Sequence, residues 1–400
     1  LGSTHEGVAA LALGEIEARF DAAAPDLALL VRLCDHDAPA VRARGLELAR
    51  RSVAAWIADP ARAIRVLSRK TGAAREGLAD VAEHGIRALG GAAREVLAVA
   101  LVAHVRSEVA AKKDAAPETF DRLNAIVEVL RRALGREIVG ALDEPEALAW
   151  LDEPLAALRT LGALRMMAAD APLDRLGLDR VQKLANDPLI ALRSLAHLLL
   201  RDALPTFASG GPQLLFALVE SPHADTREAA FDVLRALAPE QIGLDGVSGL
   251  CDSTRADVQA FGRELVERHP TAFDVGELLF RLSESPHAAM RRFALDLAGT
   301  HLRHGLVPLM RLDAFVRAVL LDVRPDRAAK RRLLELVVTR GLESEDQAAH
   351  VAALLGAVVR TKTRSDFDRI VQGLARLGAA YPGIASELSL RGAGTTGGAA

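Results

Sequence analysis

Four hundred residues, half of them hydrophobic and with a formal net charge of −3, would ordinarily suggest two or three globular cores. Aromatic residues make up only 4%, so the interior must be built from Ala, Leu and Val, and few large side chains remain to wall a deep cofactor pocket. The slightly acidic balance argues against nucleic acid as the main partner, and no run reaches the roughly 18 apolar residues of a membrane span.

In chain order, Ser3, His5, Val8, Ala12 and Leu13 align with Ser285, His287, Met290, Ala294 and Leu295. The chain is therefore expected to open on the second helix of a pair, as a piece of a longer array. The opening residues hold no basic-then-apolar signal segment, so a cytoplasmic location is expected. Residues 25–55 read as a helix pair opened by Pro25, and residues 60–90 as another. Residues 91–135 read as a longer unit interrupted by an inserted loop near 107–117, where polar and small residues precede Pro117. From 144 to 300 the pattern is most regular; 306–340 and 344–380 give two further pairs. A helical array is expected over 1–390, followed by a Gly-rich flexible tail over 391–400.

The frame is clearest at Ser285-Pro-His-Ala-Ala-Met-Arg-Arg-Phe-Ala-Leu-Asp-Leu-Ala298. Ser285 is placed to cap, Pro286 falls at the first helical position, and Met290, Ala294 and Leu297 make one apolar face. Anchored on Arg291, the pattern recurs at Arg42, Arg159, Arg193, Arg227, Gln259 and Lys330, and more loosely at Arg122. From Arg159 to Arg291 the anchors follow at 34, 34, 32 and 32 residues. A fixed helical period of this length defines a solenoid, which grows in one dimension without separate cores. Three residues after each anchor stands a small residue: Gly45, Gly162, Ala196, Ala230, Gly262 and Ala294. A bulky side chain there would hold neighbouring helices apart.

These features resemble the HEAT repeats of the armadillo-like superfamily, with Asp187…Leu192-Arg193 the best match to the family's turn and hydrophobic–Arg pair. Ser285 and Ser221 replace the family's Asp, and Gln259 replaces its Arg. The resemblance implies an all-α fold: a right-handed α-solenoid of about ten antiparallel helix pairs, from a larger bacterial protein. It also implies an Asp–Arg ladder between repeats and second helices lining the concave side.

The residues spell no catalytic motif. Phosphate-binding glycine loops are absent, and His5-Glu6 lacks the second His of a zinc protease helix. His301 and His304 are three apart with no further ligand near in sequence, and read as an ordinary helix end. Cys34 and Cys251 occupy the same repeat position many repeats apart, as two small buried thiols. No cofactor or metal is expected, and the chain is read as a non-enzymatic protein. The alternative is a HEAT-like enzyme or nucleic-acid binder. Alkylpurine DNA glycosylases of this type are echoed by Trp150 with Asp152, whereas nothing marks the chromophore pocket of a phycobilin lyase. A phosphate or acidic-partner site near Lys330–Arg364 is the functional alternative to a solvated basic face.

The informative surface lies five residues after the anchor, opposite the apolar face. It carries Asp232, Glu264, Asp296 and Glu335 in successive units and Glu47 early, but Leu164 and Leu198 in the middle. These residues are the candidate partner-binding stripe. The expectation is a scaffold holding a protein partner, with a basic segment, along its concave face.

Overall fold

The computed structural model describes residues 6–68, 72–111, 117–169, 176–322, 327–361 and 367–384. The chain groups into two compact units, Leu1–Ala203 and Leu204–Ala400, and among the described residues every regular element is helical. Unit 1 opens with α1 (Glu6–Ala18). The pair α2 (Leu27–Cys34) and α3 (Pro39–Arg51) follows, then the short α4 (Val53–Ile57). Next come α5 (Pro60–Leu67) with α6 (Gly72–Arg87), α7 (Gly91–Ala111) with α8 (Asn124–Ala133), α9 (Glu144–Trp150) with α10 (Ala156–Ala168), and α11 (Leu178–Ala185) with α12 (Ile190–Asp202). The second helices α3, α6, α8, α10 and α12 pack on one another in order, as do α2, α5 and α7, which makes two helical layers.

Unit 2 begins with the short α13 (Leu204–Gly210) and the pair α14 (Gln213–Leu218) and α15 (Ala224–Ala236). Then come α16 (Pro239–Asp252) with α17 (Ala256–Arg268), α18 (Val275–Glu284) with α19 (Ala288–His304), α20 (Asp313–Leu321) with α21 (Arg327–Gly341), and α22 (Glu345–Thr361) with α23 (Phe367–Ala380). With five pairs in each unit among the described residues, the expected number of about ten is met.

The two helices of a pair start by different means. Several first helices carry a side-chain cap. Asp26, Asp59, Asp143 and Asp274 each accept from backbone N–H groups of the first turn. Second helices begin on an extended residue with no side-chain cap: Ala38, Leu155, Leu189, His223, Arg255 and His287. Each of these stands four residues before its anchor. The anchor does the work instead, by reaching back to the turn. Arg42 donates to the carbonyls of His36 and Asp37 at 2.8 and 2.6 Å, and Arg193 to those of Asp187 and Pro188 at 2.9 Å each. Arg227 and Arg291 repeat the bond to the Ser221 and Ser285 carbonyls at 2.9 and 2.7 Å. Gln259 does so with one amide, 2.7 Å from the Ser253 carbonyl, and Lys330 donates to the Asp322 carbonyl. A buried or half-buried carbonyl without a donor is costly, so this explains the cation or amide at the anchor.

The small residue after the anchor meets the first helix of its own pair. A Cβ on Gly45 would lie 2.8 Å from the Cys34 nitrogen, one on Gly262 2.8 Å from the Cys251 nitrogen, and one on Gly162 2.6 Å from the Ala147 carbonyl oxygen. Ala196, Ala230 and Ala294 are fully buried at the equivalent positions. Both cysteines are buried and outside any disulfide, each against its glycine, so the repeat relation between them is structural.

Two expectations are corrected. Pro286 does not open a helix: α19 starts at Ala288, after extended His287. Ser285 instead accepts from the His287 N–H at 3.2 Å and donates to Asp252 of the preceding pair at 2.8 Å. The insertion near 107–117 starts later, because α7 runs unbroken through Ala111, as Val109-Ala110-Ala111 favours helix; residues 112–116 lie outside the described residues. The tail at 391–400 also lies outside them.

Candidate partner-binding face

In the four anchored pairs of unit 2 the residue five after the anchor points outward: Asp232, Asp296 and Glu335 are exposed and Glu264 is half-buried. None of the four stands alone. Arg235 donates to Asp232 at 3.0 Å and to both carboxylate oxygens of Glu264 at 3.0 and 3.2 Å, joining α15 to α17. Its guanidinium also lies 5.1 Å from the ring centre of Phe261, which stacks on Phe231 at 4.3 Å. The hydrogen bonds from Arg235 hold the Glu264 carboxyl below its ordinary value, and Glu264 in turn raises Arg235. Arg332 of α21 reaches Asp296 of α19 at 2.5 Å, and Arg376 of α23 reaches Glu335 of α21 at 3.0 Å. Glu47 in unit 1 likewise pairs with Arg44. The expected acidic line is thus a row of acids whose counterions come from the same or an adjacent second helix. This row offers a basic segment little unshared negative charge.

Two grooves open on this face. One, of about 560 Å³, lies between α17 and α19, bounded by Glu264 and Asp296 and also lined by Arg263, Glu267, Arg292 and Phe293. The other, of about 720 Å³, lies between α19 and α21. Its floor is Leu302 and Leu336; Arg303, Arg331, Arg332, Arg340, Glu335 and Glu343 rise around it. Arg340 is held by Glu343 at 2.6 Å, Arg332 by Asp296 and Glu335 by Arg376. Among the described residues, exposed Arg303 and Arg331 are left without ion pairs. Within the basic run that begins at Lys330, Lys330 turns inward and is buried while Arg331 and Arg332 face out.

In unit 1 the two leucines of the stripe part company. Leu198 on α12 is 38% exposed, whereas Leu164 on α10 is only 7% exposed. Leu164 is therefore no open contact surface; it forms part of the wall of a groove of about 920 Å³ with Met167, Arg94, Arg131, Arg132 and Arg136. Those arginines are largely engaged. Arg131 and Arg132 share Glu128, whose carboxyl they hold down at about 2, Arg131 foremost; Arg94 faces Glu137 at 3.3 Å. Trp150 is buried and does not line this groove; Arg106 lies 5.9 Å over its ring, and Asp152 pairs with Arg180 at 2.7 Å. The pairing of Trp150 and Asp152 therefore presents no open aromatic surface to a base.

His301 and His304 do not converge: His301 is 1% exposed and His304 is exposed. Burial pushes the His301 pKa down, and its Nδ1 has no hydrogen-bond partner. Burial also pushes the Cys251 thiol up to about 12, so it is not a nucleophile. Among the described residues no group of three His, Cys, Asp or Glu is placed to hold a metal, and no helix is long and apolar enough to cross a membrane.

No family model matches the chain, and no curated protein matches it. Among solved structures, an engineered protein aligns at 15% identity over 88% of this chain and 99% of its own, with a TM-score of 0.35. The Escherichia coli protein YibA aligns at 11% identity over 74% of this chain and 95% of its own, with a TM-score of 0.30. A chain from a homology model of the full-length AP-3 complex in an intermediate open conformation aligns at 13% identity over 94% of this chain and 73% of its own, with a TM-score of 0.38. At these values none of them bears on function.

Proposed function

We propose that this chain is a HEAT-like solenoid protein of the bacterial cytoplasm that acts as a non-enzymatic scaffold and holds a protein partner along its second-helix face. The strongest support is the pair of successive grooves in unit 2, both on that face and both walled by outward charges, the one between α19 and α21 over an apolar floor. Second helices repeated in one layer offer an extended recognition surface, which is how solenoids engage partners. The ion-paired acids add fixed geometry rather than net charge. The test is affinity capture from the native host with this chain as bait, followed by mass spectrometry. One protein retained at near-equimolar amount is expected, with retention lost when the exposed charges along the whole second-helix face of unit 2 are reversed together and kept when charges on the first helices are reversed. Recovery of nuclease-sensitive nucleic acid instead, or no stoichiometric protein, would refute the scaffold reading.

A further inference from the structure

We propose that the groove between α19 and α21 is a docking slot for an acidic peptide segment that carries a leucine-sized apolar side chain. The inference rests on the scaffold reading and gives its partner a chemistry. Three observations converge on it. The slot, about 720 Å³, lies within the range of about 300–1,000 Å³ typical of binding pockets. Its floor is apolar, with Leu302 buried and Leu336 half-buried, so a small hydrophobic side chain gains by entering it.

The third observation is the balance of charge. Arg332, Arg340 and Glu335 are satisfied by Asp296, Glu343 and Arg376. Arg303 and Arg331 remain exposed, one on each wall, with no ion pair among the described residues. Two guanidinium groups without acids, beside an apolar floor, match carboxylates that flank an apolar residue. Arginine binds carboxylates through two parallel N–H bonds, and those bonds strengthen as the apolar contact excludes water. A basic segment meets the opposite situation, since the two acids of this groove, Glu335 and Glu343, are already countered and its free charges are positive. A nucleic acid fits less well. Glu335 and Glu343 stand on the rim against a phosphate chain, and the groove has no aromatic side chain on which a base would stack.

The experiment is fluorescence anisotropy on the full chain with four labelled probes of equal length. These are a Glu/Asp peptide with a central Leu, the same peptide with Gln/Asn for Glu/Asp, a Lys peptide with a central Leu, and a single-stranded oligonucleotide. The acidic peptide should bind saturably and at least tenfold tighter than the Gln/Asn and Lys versions, and binding should weaken as salt rises. The double variant Arg303→Glu/Arg331→Glu should lose at least tenfold. Arg263→Glu/Arg292→Glu, in the neighbouring groove, should stay within twofold. All four positions face solvent at least in part, and unchanged circular dichroism verifies folding. Absence of saturable binding at millimolar peptide, equal binding of the Lys peptide, tighter binding of the oligonucleotide, or indifference to Arg303→Glu/Arg331→Glu would each overturn the proposal. If the host partner is still captured while the double variant retains it undiminished, only the acidic-slot inference fails. If no partner is captured at all, the scaffold reading fails.

Discussion

Gly262 and Gly249 provide an internal comparison of what holds a helix pair together. Both are in helix interiors of one pair, Gly249 in α16 and Gly262 in α17. Replacing either by Ala removes backbone freedom from the unfolded chain and favours helix by roughly 0.5–1 kcal/mol. Around Gly249 a new Cβ meets nothing within 4 Å, so that gain stands by itself. At Gly262 the Cβ would lie 2.8 Å from the Cys251 nitrogen, 2.9 Å from its sulfur and 3.0 Å from the Leu250 carbonyl carbon. Two of these are backbone atoms, which cannot rotate away, so α16 and α17 must separate. Overpacking of this kind costs about 1–3 kcal/mol. Gly249→Ala should therefore stabilise by about 0.5–1 kcal/mol, and the two variants should differ by about 1–3 kcal/mol. Repeat arrays need not melt in one step. Urea melts by circular dichroism should therefore be paired with amide exchange of α16 and α17, where the loss should concentrate. Equal stability of the two variants would refute the role given to the small residue after the anchor.

Further outcomes are expected at other points of the repeat. Ala230→Leu, at a fully buried contact, should lower stability by about 1–3 kcal/mol in urea melts, and a melt identical to the parent would mean the site tolerates volume. Arg291→Ala should cost about 1–3 kcal/mol by leaving the Ser285 and Pro286 carbonyls without their donor. Arg291→Gln should cost less, because Gln259 makes the equivalent bond, and equal losses for the two variants would place the effect elsewhere. Burial lowers the folded pKa of His301 below its ordinary value of 6.5, so the unfolded chain binds the proton first. Stability should be full above about pH 6.5 and fall as pH drops toward the depressed folded value. His301→Leu should flatten this slope in pH-dependent thermal melts without abolishing it, because His104 is shifted the same way, by burial first and then by Arg122.

The repeat frame was legible because it rests on short-range chemistry. The carbonyl bound by Arg42, Arg193, Arg227, Gln259 or Arg291 is six residues back, the extended residue that starts the second helix is four before the anchor, and the small residue is three after it. Those offsets survive a change of residue type, so Gln259 was found although it is not Arg, whereas Lys330 reaches a carbonyl eight residues back. Local propensity misled where a longer-range bond decided. Ser285-Pro286 looks like a cap with a first helical proline. The hydroxyl instead spans to Asp252, thirty-three residues back, and the helix waits until Ala288. The division after Ala203 carried no signal in the period, since α12 ends there in sequence much like its neighbours. Outward placement of Asp232, Asp296 and Glu335 followed from periodicity alone. Burial of Leu164 did not, because helix angle says nothing about how closely α8 and the turn at 137–140 approach α10.

What the sequence concealed most fully was the neutralisation of the stripe, and the stacking of helices explains it. Packed helices run about 8–10 Å apart, so one exposed acid per repeat sets like charges at about the screening distance of physiological salt. A row of bare acids would repel along its whole length in the folded state and relax on unfolding. An arginine from the same or an adjacent second helix removes that repulsion, and the partners are 3, 29, 36 or 41 residues away in sequence. Individually such exposed pairs contribute little, about 0–1 kcal/mol. Their larger effect is on recognition. Once Arg235, Arg332 and Arg376 are committed to acids, the charge left to address a partner belongs to the cations outside the row. A face that reads as acidic by repeat position therefore presents, in the groove between α19 and α21, the free positive charge of Arg303 and Arg331.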